Sequence, residues 1–205
     1  MGDFMKKIIG FLAITIGMAA TASTIGMSNH PFTTKKHIIT TEYNSYFSDS
    51  SGMGLNANYS QRISETMTVD TGFGITNGDK SSRLHLGADL QILPDYGRQP
   101  KLSLKAFGES ENISEERINS FGIAPTLSKG FAFWGKEAFP FIALPMKVSL
   151  NTARKDYETS TSVALGVTGR LPIDGASNLV GNVETNFDLN KSGSSIVMGV
   201  SLPIE

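Results

Sequence analysis

The 205-residue chain contains no cysteine. Disulfides, thiolate catalysis, cysteine-ligated zinc and a lipid anchor on an N-terminal cysteine are therefore excluded. Charge is also sparse: charged residues are 18% of the chain and the formal net charge is −1. Nucleic-acid binding needs a basic surplus, so no nucleic-acid partner is expected. Hydrophobic residues are 40%, too many for a disordered chain. Only three histidines are present, His30, His37 and His85, which limits the general bases available. Beyond the first segment no apolar run reaches the roughly 20 residues of a transmembrane helix. There is no HExxH, P-loop or dinucleotide fingerprint, so no cofactor and no metal is expected.

What the chain does have begins with an export signal. Lys6 and Lys7 form a charged start, residues 8–20 are apolar, and Ala20-Thr21-Ala22 fits the small-x-small cleavage rule. Residues 1–22 read as a signal peptide that is removed, with a retained anchor helix as the alternative. Residues 23–36 are polar, contain Pro31, and read as a loose lead-in to a single β domain over 37–205. That domain alternates in hydrophobicity with a period of two, the period of a strand. Residues 157–171 show it best: Tyr157, Thr159, Thr161, Val163, Leu165, Val167 and Leu171 share one face, and Glu158, Ser160, Ser162, Ala164, Gly166, Thr168 and Arg170 the other. About ten such strands follow one another, at 37–47, 53–63, 67–76, 83–93, 101–109, 118–128, 139–151, 157–171, 179–189 and 194–202; eight is the alternative count. Asp49-Ser50-Ser51-Gly52, Asn77-Gly78-Asp79 and Asp174-Gly175 supply turn chemistry between them. Short links make neighbouring strands antiparallel. Pro125 and Pro145 lie inside strands and predict bulges or kinks, because proline cannot donate to the ladder.

Alternation does not say which face is inside. A soluble barrel turns its apolar face inward, and a membrane barrel turns it to lipid. Two features favour lipid. The polar face is rich in Gly, Ser, Ala, Asn and Thr, which suit a narrow lumen better than a surface facing water. Aromatics gather near strand ends, at Tyr59, Trp134, Phe139, Phe141, Tyr157 and Phe187, as interfacial girdles do. In lipid every backbone group must be paired, so the sheet has to close. The expected fold is an all-β, closed, antiparallel up-and-down transmembrane β-barrel.

With its export signal, alternating strands and even strand count, the chain resembles the small outer-membrane β-barrels of Gram-negative bacteria, the OmpA/OmpX-like class. The resemblance spans about residues 32–205. It implies a bacterial outer-membrane location, outer-membrane lipid and the barrel assembly machinery as partners, and both termini on the periplasmic side. Two features depart from the class. The chain ends Leu202-Pro203-Ile204-Glu205 without a terminal aromatic residue, and the links assigned to the outside are short. The longest inner link, 129–138, is rich in aromatics.

The polar face carries opposite charges: Glu42, Asp70, Asp89, Glu109, Glu158 and Glu184 against Arg62, Arg83, Lys101, Lys105, Lys147 and Arg170. Unpaired charge in a poorly hydrated interior is costly, so these should pair across the lumen. The pairs either plug the barrel or gate a narrow pore. The expected role is non-enzymatic, structural or pore-forming. A surface-adhesion barrel and a soluble periplasmic, lipocalin-like barrel for a small apolar ligand are the alternatives. A lipid-modifying or proteolytic outer-membrane barrel would need a histidine with a partner at the rim. His85 and Asp89 are too far apart along one strand, which leaves His85 with Asp70 on the next.

Overall fold

In the computed structural model the described residues are 25, 37–47, 52–77, 80–113, 116–133, 136–173, 178–190 and 193–204. The 1–22 leader, Trp134 and most of the 23–36 lead-in lie outside them. Twelve strands form one sheet. They are β1 (His37–Tyr46), β2 (Gly52–Arg62), β3 (Met67–Thr76), β4 (Lys80–Leu93), β5 (Lys101–Ile113), β6 (Glu116–Ser128), β7 (Phe131–Phe133), β8 (Lys136–Ala143), β9 (Met146–Asn151), β10 (Asp156–Arg170), β11 (Val180–Asn190) and β12 (Ser195–Ile204).

All pairings are antiparallel: β1 to β6 pair in sequence order, as do β7 with β8 and β9 through β12. β12 returns to pair with β1, His37 opposite Ile204, and β10 pairs with β11, so the sheet closes. β8 and β9 lie end to end between β6 and β10 and act as one stave of the wall. With β1–β6, β10, β11 and β12 that makes ten staves, as the sequence predicts. Both ends of the described barrel, His37 and Ile204, lie at the same rim, called here the terminal rim.

The two prolines behave differently. β6 runs through Pro125 in constant register, with Leu104 opposite Pro125 between Lys105–Ala124 and Ser103–Thr126. The stave opposite breaks at Leu144 and Pro145, yet its register is the same on both sides: Ile123 faces Met146 and Thr126 faces Ala143. Against the expected bulges or kinks, neither proline shifts the register, and Pro145 lies at a break in its strand. Pro125 keeps its carbonyl in use, accepting from the Leu144 N–H at 3.0 Å, and Pro145 accepts from the Ser162 N–H at 3.0 Å. The register shifts fall instead at Lys80/Ser82, Gln91/Leu93 and Thr161/Ser162. The hairpins also run longer than their hydrophobic pattern: β5 and β6 pair out to Ile113–Glu116, and the 129–138 link folds into a hairpin in which β7 pairs with β8.

The barrel is inverted relative to a soluble protein. Leu84, Leu86, Leu90, Phe73, Ile142, Val183, Met198 and Val200 are all exposed on the outer face, Leu86 by 66%. The interior is polar. Glu42, Asn44, Asn182 and Glu184 are among its fully buried large side chains, with Asp70, Arg83, Asp89 and Lys105 also buried. Water is the wrong solvent for such an outer surface, since leaving so large a contiguous apolar face hydrated carries a large free-energy cost. A hydrocarbon surround removes that cost.

Candidate functional site: the barrel lumen

Period two places the lumen-facing residues, and glycine decides where their bulk can go. At Gly87 an added Cβ would lie 2.8 Å from both Asp70 Oδ2 and Lys105 Cε. The missing side chain lets β3 and β5 meet across β4: Lys105 Nζ lies 3.0 Å from Asp70 Oδ1, and His85 Nε2 lies 3.4 Å from Asp70 Oδ2. Gly122 plays the same part on β6. A Cβ there would fall 2.6 Å from the Phe107 ring and 2.9 Å from Lys147 Cβ. Across that gap Lys147 on β9 reaches Glu109 on β5 at 3.7 Å. Glu109 also pairs with Arg83 on β4, and Arg83 Nε lies 3.3 Å from Glu111 Oε1. The chain of charges therefore runs Lys147–Glu109–Arg83–Glu111, with Lys105–Asp70–His85 as a second cluster.

Around the rest of the wall, on β11, β12, β1 and β2, amides replace cations in the bonds observed. Asn56 Nδ2 donates to Glu42 Oε2 at 3.3 Å, and Asn186 Nδ2 donates to Glu184 Oε1 at 3.0 Å. Thr40 and Ser201 hydroxyls share a 2.6 Å hydrogen bond across β1 and β12. The amides of Asn44 and Asn182 are buried with neither atom bonded to a protein group among the described residues. Buried amides cost free energy unless they find hydrogen-bond partners.

A cavity of ≈ 690 Å³, open mouth included, occupies the part of the lumen away from the terminal rim. Tyr46, Glu111, Ser160, Asn186, Gly193 and Ser195 surround it toward that far rim. Ile25, Lys105 and Phe107 border it at mid-barrel depth.

Of the residues expected on the lumen, Glu42, Asp70, Arg83, Asp89, Lys105, Glu109 and Glu184 are buried there, Lys101 and Lys147 are half-buried, and Glu158, near the far rim, is exposed and needs correcting. Arg62 is half-buried near the terminal rim, with its guanidinium bonded to the carbonyls of Ser64 and Glu65 in the β2–β3 turn. Arg170 needs correcting. It shares the lumen parity of Thr168 but comes two residues later, at the barrel's edge, and is exposed. Among the aromatics, Tyr59 and Phe131 stand exposed toward the terminal rim, and Phe47, Tyr157 and Phe187 toward the far rim. Phe139 is half-buried. Phe141 needs correcting too, because it is buried inside the barrel and not interfacial. It shares parity with Ala143, and its ring lies where a Gly166 side chain would be, 2.4 Å from that Cβ position. Phe107, Glu111 and Ile25 are lumen residues that were missed. Glu111 follows from parity with Glu109, whereas Ile25 carries no strand signal at all.

The fold and its inverted faces define a transmembrane β-barrel with a charged and amide-lined interior. No protein-family model matches the chain, and no curated protein matches its sequence. Among solved structures it is similar to the KdgM porin in complex with disordered oligogalacturonate. The TM-score is 0.42 and the identity 10%, over 82% of this chain and 99% of that one. What assigns the class is the barrel's own surface.

Proposed function

We propose that the protein is a non-enzymatic barrel of the bacterial outer membrane, with a narrow hydrated pore gated by its lumen ion pairs. The observation that carries this reading is the Lys147–Glu109–Arg83–Glu111 chain beside a cavity open toward one rim. A lumen filled only for rigidity would leave no cavity there. The amides of Asn44 and Asn182 support a wet path on the facing wall. His85 reaches Asp70, but no hydroxyl bonds to its ring among the described residues, which argues against a serine-type triad.

Single-channel recording in planar bilayers tests the reading. Lys147 is the most exposed member of the chain and the one that crosses β6. Lys147→Met should raise unit conductance or open frequency, because Glu109 keeps Arg83 and loses only its link across β6. Wild type and variant both silent in bilayers that pass current through a reference porin would sink the pore. The barrel would then be structural, with its ion pairs serving as a plug.

A further inference from the structure

We infer that the lumen has a built-in occupant supplied by the chain itself, Ile25, which seats inside the wall and closes the inner end of the cavity. Ile25 lies twelve residues before β1, in a stretch whose sequence is polar, yet it is 5% exposed. Its side chain belongs to a buried apolar cluster with Phe107, Ala124, Ala143 and Ala164. These four come from β5, β6, β8 and β10, and the register sets Ala143 opposite Ala164. In a lumen of charges and amides, this is a patch of matching polarity for one aliphatic side chain.

The backbone is held as well. The Ile25 N–H donates to Glu184 Oε2 at 3.0 Å. Glu184 is 0% exposed, and its other oxygen takes the Asn186 amide. A carboxylate that deep needs donors on both oxygens, and a main-chain N–H is one that only a peptide segment brings. So two independent contacts, one apolar and one polar, fix the same residue from two sides. Ile25 also borders the cavity together with Phe107 and Lys105, so what it closes is the route from the far rim.

This inference rests on the pore reading only for its consequence, not for the seat itself, and the experiment separates them. The chain has no cysteine, so thiols can be placed singly. Ile25→Cys with Ala164→Cys should cross-link on oxidation in folded barrels. Ile25→Cys alone should react with a small water-soluble maleimide at least about tenfold more slowly than Ser64→Cys in the exposed β2–β3 turn. Ile25→Glu sets a second carboxylate beside Glu184 and should unseat residue 25, raising conductance several-fold over wild type. The cross-linked form should stay closed until reduced. No cross-link, with Ile25→Cys labelling as fast as Ser64→Cys, overturns the inference even if the barrel conducts. A cross-link formed in barrels that stay silent as Ile25→Glu upholds the seat and removes the pore.

Discussion

At the scale of single residues, what an added methyl group meets separates one glycine from another. Gly108 faces outward, where a Cβ would find only the Ser120 carbonyl at 3.9 Å. Gly108→Ala should leave stability within about 0.5 kcal/mol of wild type. Gly87→Ala pushes between Asp70 and Lys105, whose tips can move apart, so the ion pair loosens and the cost is about 1–3 kcal/mol. Gly166→Ala meets the Phe141 ring at 2.4 Å and the Val183 carbonyl at 2.6 Å. Backbone cannot step aside as a side-chain tip can, so this variant should be the least stable of the three. Urea midpoints of refolded barrels rank them, and Gly166→Ala as mild as Gly108→Ala would refute the packing argument. Charge deletion works on larger energies. Arg83→Met leaves Glu109 and Glu111 buried beside each other and should cost about 3–5 kcal/mol. Replacing both glutamates by Gln in the same chain should recover most of that loss, since the uncompensated charge goes with them.

At the scale of elements, strands were legible and their partners were not. Alternation at Leu84, Leu86, Ala88 and Leu90 against Arg83, His85, Gly87 and Asp89 sorts the two faces of β4 without any knowledge of the fold. That Lys147 meets Glu109 depends on register across β6 and on Gly122 being bare, neither of which alternation contains. Phe141 was misread because its type suggested a girdle while its parity pointed inward; parity prevailed, with Gly166 making the room. Ile25 was illegible because one aliphatic side chain in a polar stretch has no period. The links at the terminal rim hold a further contact of this kind. Asp95, in the β4–β5 link, pairs with Lys129 and accepts the Gly130 N–H at 2.7 Å. Lys129 Nζ also donates to the Gly97 and Gln99 carbonyls at 2.8 and 3.2 Å, so the clasp ties this link to the end of β6. Slight burial pushes the Asp95 carboxyl up, but the Lys129 ammonium and the Gly130 N–H outweigh it and hold it below the usual carboxylate range. A depressed folded value means the clasp is at full strength above the unfolded pKa of about 3.9 and fades as pH falls through the lower folded one. The Gly130 amide resonance should therefore shift with a midpoint below about pH 4 in wild type. It should not titrate there in Asp95→Asn.

At the scale of the whole molecule, the solvent around the barrel is itself a testable quantity. The outer face carries Leu84, Leu86, Leu90, Leu165, Val183 and Met198, all exposed, between aromatics toward either rim. In water an exposed leucine is a minor liability, and replacing it with lysine changes stability by less than about 0.5 kcal/mol. In lipid the same replacement puts a charge into hydrocarbon, which costs about 2–4 kcal/mol at the midplane and falls toward zero at the interfaces. Leu86 lies near the middle of β4, opposite Thr71 on one side and Gly108 on the other, and is 66% exposed. Tyr157 lies near the far rim and is 75% exposed. Leu86→Lys should thus destabilise the barrel by several kcal/mol in bilayers, and Tyr157→Lys should cost far less, although both residues are exposed. The measurement is reversible urea unfolding in phospholipid vesicles, read by the mobility difference between folded and boiled protein. Depth, not exposure, must order the two variants if the apolar face meets lipid. Equal and small effects would mean that the face meets water, and the inverted interior would then need a different account.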